Sequence, residues 1–183
     1  MKQEIRQIDN IYIGCGPDVR KGYVGCDVRK LDNVEIVCPA WELSKHVCGI
    51  KNIYTRHMVE HLTFSQFKAA LKDWFKAMAP GGELYIVCPD LDAHMKQLQN
   101  AEITPEALKE EWSECHWALC SIFGWQREDY FNSPIETRYW DVHKSGYNAK
   151  LMQIFLQEAG FVNIKTISGV NRVHLKGICN KPL

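Results

Sequence analysis

A glycine-rich turn between two short apolar segments constrains the fold of this chain more than any other feature. Residues 11–13 run into Gly14-Cys15-Gly16-Pro17, and residues 23–26 end on Asp27. Glycine lets the backbone approach a ligand closely because it has no Cβ. An ionised carboxylate offers acceptors for both hydroxyls of a ribose. The pattern predicts two neighbouring strands whose ends bind an adenosyl ligand.

Short apolar segments alternate with helical patterns along the chain, which is typical of an α/β sheet. We predict strands near residues 10–14, 23–27, 34–38, 51–55, 83–88, 161–166 and 172–179. Segment 83–88 is nearly all apolar, which indicates a strand covered on both faces. One helix follows Thr63, which forms a capping box with Gln66, and another stops at Gly160.

A third helix is predicted to begin at Thr104-Pro105, because proline is favoured at the first helical position. Its buried stripe comprises Leu108, Trp112, Cys115, Leu119 and Ile122. It belongs to a segment, residues 91–146, that is too long for an ordinary connection between strands. We interpret this segment as a helical insert or lid over the carboxyl edge of the sheet, or as a satellite core. Its aromatic residues are Trp112, Trp117, Phe123, Trp125, Tyr130, Phe131, Tyr139 and Trp140.

The bulk properties favour a single cytoplasmic domain over residues 1–183. The formal net charge is zero, which argues against a general nucleic-acid binder, and no apolar segment is long enough to span a membrane. The eight cysteines include no Cys-x-x-Cys pair, so a structural zinc site or a disulfide framework is not expected. The tryptophans of the insert could also form a subunit interface, so an oligomer stays open.

A dinucleotide is a poor match for the glycine turn. The nicotinamide fingerprint G-x-G-x-x-G would need a third glycine where this chain has Val19, and its acid lies about 20 residues further on. Asp27 follows Gly16 too closely for a crossover helix, so no helix dipole is available to hold a pyrophosphate. S-adenosylmethionine carries no phosphate and needs none of these features.

The segment His57-Met58-Val59-Glu60-His61 matches the H-x-x-E-H pattern of some zinc hydrolases. On a helix, His57 and His61 would share a face and could bind zinc, with Glu60 as the base. The segment follows a predicted strand directly, where a ligand-contacting loop belongs. We therefore favour the interpretation that Glu60 and His61 orient this loop and cap the next helix, and we predict no metal site.

Five segments in order resemble the small class I S-adenosylmethionine-dependent methyltransferases of the type 11-like group. They are residues 13–16, 22–27, 56–62, 79–84 and 87–90, and the Glu-Ala-Gly-Phe at 158–161 is similar as well. The resemblance implies a Rossmann-like, mostly parallel seven-stranded sheet whose last strand is antiparallel. It also implies S-adenosylmethionine as cofactor, with contacts at Gly14, Cys15, Gly16 and Asp27.

The sequence differs from these methyltransferases after the third predicted strand, where the group usually has an acidic residue that binds the adenine amine. Ala40 and Trp41 stand there, and we expect them to take this role, with His57 as a further cofactor contact. Methyl transfer is an in-line displacement that mainly requires alignment. The candidates for a general base are His143, Tyr147 and His57.

The aromatic insert favours a planar, apolar or sugar-like acceptor, such as a small molecule or a cell-envelope precursor. Two other functions stay open at this point. One is a module that binds S-adenosylmethionine without turnover, and the other is a zinc hydrolase that uses His57, Glu60 and His61.

Overall fold

The computed structural model describes residues 5–125 and 140–183. Its central element is a seven-stranded sheet, accompanied by a separate pair of two-residue strands. The strands of the described ranges are β1 (Arg6–Gln7), β2 (Asn10–Ile13), β3 (Val24–Asp27), β4 (Ile36–Val37), β5 (Val47–Cys48), β6 (Ile50–Arg56), β7 (Met78–Pro89), β8 (Val162–Val170) and β9 (His174–Asn180).

The large sheet has the strand order β4-β3-β2-β6-β7-β9-β8. The first five of these strands are parallel, and β9 runs antiparallel to both β7 and β8. This arrangement confirms the predicted Rossmann-like fold with a mostly parallel sheet and an antiparallel last strand. The pair β1–β5, which the sequence did not indicate, is parallel and lies outside the large sheet.

The helices α1 (Phe64–Ala77) and α5 (Ala149–Glu158) pack together against the core. Helix α1 begins with the predicted capping box, in which Thr63 and Gln66 exchange hydrogen bonds between side chain and backbone. The Phe67 ring of α1 lies 5.4 Å from that of Phe155 on α5. Burial of such aromatic surface is the main favourable term in forming this layer.

The two faces of the sheet differ. Along β2, β6 and β7, buried aliphatic residues alternate with half-buried or exposed ones, so the period of two is visible in the structure. Tyr12, Tyr54 and Tyr85 lie side by side on the more exposed face, with ring centroids 4.9 and 5.6 Å apart. The prediction that segment 83–88 is covered on both faces is therefore wrong, because Glu83 is exposed on this side and Tyr85 is half-buried.

The described part of the predicted insert is helical. It contains α2 (Leu91–Asn100), α3 (Pro105–Lys109) and α4 (Glu114–Phe123). The predicted single helix after Thr104 is divided in two because Ser113 caps a new helix, its side chain accepting from the backbone of His116. Trp112, placed in the predicted buried stripe, is 67% exposed. Tyr130, Phe131 and Tyr139 lie outside the described residues.

None of the helices in the described ranges is long and apolar enough to cross a membrane.

Candidate active site

A cavity of about 460 Å³ lies at the carboxyl ends of β2, β3, β4 and β6. Its volume falls within the usual range for small-molecule sites, and its position is the edge where open α/β sheets bind ligands. Five of the predicted cofactor contacts line it, namely Gly14, Asp27, Ala40, Trp41 and His57. Cys15, Gly16, His143 and Tyr147 do not line it.

Gly14 forms the base of the cavity and could be no other residue without rearrangement. Its φ of +67° is a left-handed conformation, and a Cβ at this position would lie 2.2 Å from Cγ of Met58. The turn is fixed by the Gly14 amide, which donates to the Cys26 carbonyl at 2.8 Å. The glycine therefore lets the turn after β2 contact the loop after β6.

Gly16 and Cys15 act on the site indirectly. The Gly16 amide donates to Oδ2 of Asp27 at 3.0 Å, so this glycine orients the carboxylate without lining the cavity itself. The side chain of Cys15 is buried in the core, and burial raises the pKa of its thiol. Both residues thus support the turn, while Gly14 and Asp27 form the surface of the cavity.

Asp27 is a buried acidic group that lines the cavity. Arg29 donates to it through its backbone amide and Nε, at 2.9 and 3.0 Å from Oδ1, and through Nη2, 3.3 Å from Oδ2. Burial opposes ionisation of Asp27, but these hydrogen bonds and that from Gly16 outweigh it and lower the pKa of the carboxyl. Asp27 therefore stays ionised at the end of β3, where it forms an ion pair with Arg29.

A short 3₁₀ helix over Ala40–Lys45 forms the opposite wall and presents Ala40 and Trp41. It is tied to α1 at two points. The Trp74 indole donates to the Ala40 carbonyl at 2.7 Å, and Asp73 accepts from the amide and hydroxyl of Ser44 at 2.8 and 2.6 Å. The wall is thus fixed by a core helix, and the last described portion of the insert closes the cavity with Trp140, Asp141 and Lys144.

Tyr147 and His143, both predicted as bases, lie behind the cavity. Tyr147 is fully buried, with its hydroxyl 2.9 Å from that of Ser145, and burial raises its pKa far above the ordinary value. His143 is half-buried, and its Nδ1 lies 2.8 Å from the Ser121 carbonyl. Burial lowers the pKa of His143.

His57, the third predicted base, reaches the cavity from the end of β6. Its φ of +50° is uncommon for a residue with a side chain, and its amide donates to Val87 at 2.9 Å. Its Nδ1 lies 3.4 Å from Oε1 of Glu60, and its Nε2 lies 3.1 Å from Nε2 of His174. Such strained backbone is concentrated at functional sites.

Glu60 is buried next to three histidines, His57, His61 and His143. It is 2% exposed, and neither carboxylate oxygen has a hydrogen-bond partner among the described residues. Burial acts to raise its pKa, but the neighbouring His57, His61 and His143 outweigh this and lower it. No local pattern in the sequence indicated that His143 lies close to Glu60, because the two residues are far apart in the chain.

The local structure does not match the zinc hydrolase alternative. Val59–His61 forms a single 3₁₀ turn, so His57 and His61 do not occupy one face of an α-helix. The prediction that Glu60 and His61 cap the next helix is also wrong, since Thr63 caps α1. Among the described residues, the group with ligand atoms within 4.8 Å of one another is Glu60, His61 and His143.

Solved structures of S-adenosylmethionine-dependent methyltransferases share this fold. The 1,6-didemethyltoxoflavin-N1-methyltransferase of Burkholderia thailandensis, bound to its toxoflavin ligand and S-adenosylhomocysteine, matches with a TM-score of 0.58 and 11% identity over 97% of this chain and 72% of that one. A methyltransferase of Methanosarcina mazei matches with a TM-score of 0.55 and 15% identity over 99% of this chain and 94% of that one.

Phosphoethanolamine N-methyltransferase 2 of Haemonchus contortus matches with a TM-score of 0.53 and 11% identity over 100% of this chain, which spans only 50% of that enzyme. No protein-family model matches the sequence, and no curated protein matches it either. At these identities the likeness establishes the fold, and it confirms the class I methyltransferase fold expected from the sequence.

Proposed function

We propose that this protein is an S-adenosylmethionine-dependent methyltransferase that acts on a small-molecule acceptor. The observation that carries the proposal is the placement of Asp27 and Gly14 on one cavity, at the carboxyl ends of adjacent strands of a methyltransferase fold. In these positions a carboxylate can accept hydrogen bonds from the ribose hydroxyls, and a glycine lets the backbone come close to the ligand. An adenosyl ligand without phosphates requires both.

The residues of the cavity fit this cofactor. The Asp27 carboxylate can accept from the ribose hydroxyls, and Trp41 offers an aromatic surface for the adenine. Residues 14–23, between β2 and β3, form no helix, so no helix N-terminus is available there for a pyrophosphate. Arg29 is 41% exposed, so its guanidinium can move into solvent when the ribose hydroxyls take its place at the buried Asp27 carboxylate.

The reaction expected of this site is an in-line displacement. When bound, the cofactor supplies an activated methyl group: the acceptor atom bonds to the methyl carbon, the carbon–sulfur bond breaks, and its electron pair stays on the sulfur of S-adenosylhomocysteine. The residues of the cavity bind and align the two reactants, which by itself can provide about 7 to 11 kcal/mol. His57 and His61 line the cavity and are the imidazoles that could accept a proton from the acceptor.

The part of the cavity formed by the last described residues of the insert combines an aromatic ring with two charged groups. Trp140 lies beside Asp141 and Lys144, and one oxygen of Asp141 is buried with no partner among the described residues. An acceptor with a planar or sugar-like body and hydroxyl groups would use both kinds of contact. We therefore propose such a molecule, including the sugar-type precursors of a cell envelope, as the substrate class.

The cysteines are consistent with a reducing, cytoplasmic environment, which we also propose. All eight are free, including the buried Cys26 and Cys38, whose sulfur atoms are 3.7 Å apart without a disulfide.

The proposal is tested by titration calorimetry with S-adenosylmethionine and S-adenosylhomocysteine, and with NAD as the negative control. We expect micromolar binding of the two sulfur compounds, a loss of at least tenfold in Asp27→Asn, and no change in Asp32→Asn, an exposed aspartate that does not line the cavity. No binding at millimolar ligand would overturn the proposal. Binding without methyl transfer to any acceptor of the proposed class would favour the non-catalytic module.

A further inference from the structure

The carboxylate of Glu60 lacks the hydrogen bonds that a buried charge normally has. It is 2% exposed, and neither oxygen is hydrogen-bonded to any described residue. Burying an ionised carboxylate is costly unless it is paired or coordinates a metal, and buried polar atoms without partners are rare. His57 approaches one oxygen at 3.4 Å, which leaves the other without any ion-pair partner among the described side chains. A buried carboxylate of this kind is a candidate metal ligand.

The two histidines that complete the cluster are oriented with a free nitrogen. His61 places Nδ1 3.3 Å from the Val142 carbonyl, and His143 places Nδ1 2.8 Å from the Ser121 carbonyl. A carbonyl accepts only, so Nδ1 must carry the proton in each ring, and the lone pair is then on Nε2. Metal-binding histidines almost always donate their second nitrogen in this way, because it fixes the tautomer and the ring orientation.

The backbone holds these ligands together without help from an ion. Glu60 and His61 lie on one turn, and the segment returning from the insert is bound to that turn by the amides of Lys144 and Ser145, which donate to the Glu60 carbonyl at 2.8 and 3.2 Å. Ligand atoms of Glu60, His61 and His143 lie within 4.8 Å of one another. Metal–ligand bonds of about 2.1 Å need donors about 3 to 4 Å apart, so small side-chain rotations suffice.

We propose that Glu60, His61 and His143 bind a divalent first-row transition-metal ion at the wall of the cavity. Two imidazoles and one carboxylate suit Zn²⁺, Co²⁺ or Mn²⁺ better than Mg²⁺, which prefers oxygen ligands. Three protein ligands leave at least one position open. Because His61 lines the cavity while Glu60 and His143 lie behind it, we infer that the open position is on the cavity side.

The ion has a role in catalysis that rests on the proposed methyltransferase function. A hydroxyl oxygen of the acceptor binds the open position, and the metal lowers its pKa so that its proton passes to water. The resulting alkoxide forms the bond to the methyl carbon as the carbon–sulfur bond breaks, and the electron pair goes to sulfur. The ion thus favours acceptors that react through a hydroxyl oxygen.

Metal binding is measured on the full chain after chelator treatment, by calorimetry with Zn²⁺ and by the visible spectrum of added Co²⁺. We expect one equivalent to bind, with affinity lowered at least about tenfold in Glu60→Gln and His143→Gln. His46→Gln removes an imidazole that makes no side-chain hydrogen bond, ion pair or ring contact with any described residue, so it is the control and should bind as the wild type does. Equal affinity in all four proteins, or no binding at millimolar metal, would overturn the site.

The variants must be shown to fold, and the cofactor serves this purpose. Glu60→Gln and His143→Gln should still bind S-adenosylmethionine, since neither residue lines the cavity. If both bind the cofactor normally yet lose the metal, the site is supported. If the wild type binds metal but no S-adenosylmethionine, the proposed function fails while the metal site stands.

The open position is tested with bound Mn²⁺ and catechol, a small bidentate oxygen ligand. Exchangeable water on the ion enhances the relaxation of solvent protons, and we expect catechol to reduce this enhancement by displacing the water. Absence of any enhancement would indicate a closed structural site and would overturn the role in binding the acceptor.

Discussion

The guanidinium of Arg29 bridges both oxygens of Asp27, with Nε 3.0 Å from Oδ1 and Nη2 3.3 Å from Oδ2. The same arginine lies 5.6 Å from the centre of the Trp140 ring. The Arg29 guanidinium is thus hydrogen-bonded to the carboxylate that the ribose of a bound cofactor would need. It also brings the end of β3 close to Trp140, on the side of the cavity formed by the insert.

Replacing Arg29 by alanine should tighten cofactor binding, because the ribose hydroxyls would no longer compete with a guanidinium for Asp27. Partly exposed ion pairs are worth up to about 1 kcal/mol, so we expect a twofold to roughly fivefold lower Kd. Calorimetry with S-adenosylhomocysteine measures this. Arg20→Ala, at the Tyr23 and Tyr54 rings outside the cavity, is the matched control. Weaker binding in Arg29→Ala alone would show that the arginine contacts the cofactor.

The Asp27 carboxylate should also make stability depend on pH. Because its pKa is lowered in the folded protein, its contribution is present above the ordinary carboxyl pKa of about 4 and is lost as the pH falls through the folded value. The Asp27→Asn variant lacks this carboxyl group, so it serves as the reference that does not ionise at position 27. The difference in free energy of unfolding between wild type and variant should be constant above about pH 5 and shrink below about pH 4. Urea unfolding at several pH values tests this, and a difference that grows towards acid would contradict it.

Alanine at Gly14 and at Gly16 should have unequal effects. Both positions have positive φ, which costs roughly 1 to 2 kcal/mol for alanine. At Gly14 the new methyl would also overlap Met58, whereas at Gly16 the nearest atom is 3.5 Å away. We expect unfolding free energy to fall by roughly 2 to 4 kcal/mol in Gly14→Ala and by about 1 to 2 kcal/mol in Gly16→Ala. Equal losses would show that Met58 moves aside freely.

Trp74→Phe should weaken the wall that carries Ala40 and Trp41. The substitution keeps an aromatic ring but removes the donor to the half-buried Ala40 carbonyl, and a hydrogen bond of this kind contributes about 0.5 to 1.5 kcal/mol. Both unfolding free energy and cofactor affinity should decrease. Trp112→Phe serves as the control, since the exposed Trp112 should tolerate the change within about 0.5 kcal/mol.

Tyr147→Phe separates a structural role from a catalytic one. The hydroxyl is buried beside Ser145, so its removal should lower unfolding free energy by about 1 kcal/mol and leave the Kd of S-adenosylhomocysteine within about twofold. Thermal or urea unfolding and calorimetry test these expectations. Unchanged stability together with a large loss of methyl transfer would instead restore Tyr147 as a catalytic base.

The glycine turn after β2 and the carboxylate at the end of β3 were predictable because their signals are local. Gly14 and Asp27 each follow an apolar strand, and parallel strands bring their carboxyl ends to one edge. Thr63 with Gln66 and Thr104 with Pro105 marked helix starts correctly, because capping depends on residues within one turn.

The remaining features depend on contacts between distant segments. No local pattern indicates that His143 approaches His61, or that Tyr147 is enclosed by Phe67 and Phe155. The strands β1 and β5 have two residues each, which is too short to show any periodicity. The pairing of Arg29 with Asp27 was missed for another reason, since a charged residue after a strand is equally often solvated.

The hydrogen bonds that connect the last residues of the insert to the turn of Glu60 and His61 have a consequence for folding. The hydrogen bond of His61 to Val142 spans 81 residues, whereas the Gly14 turn and Asp27 are connected within 11. Closing a long loop costs more entropy, so contacts of large sequence separation form late and slow the folding rate. We therefore expect the contacts between the Gly14 turn and Asp27 to form before those of His61 with Val142, and φ-value analysis of substitutions in the two regions would measure this order.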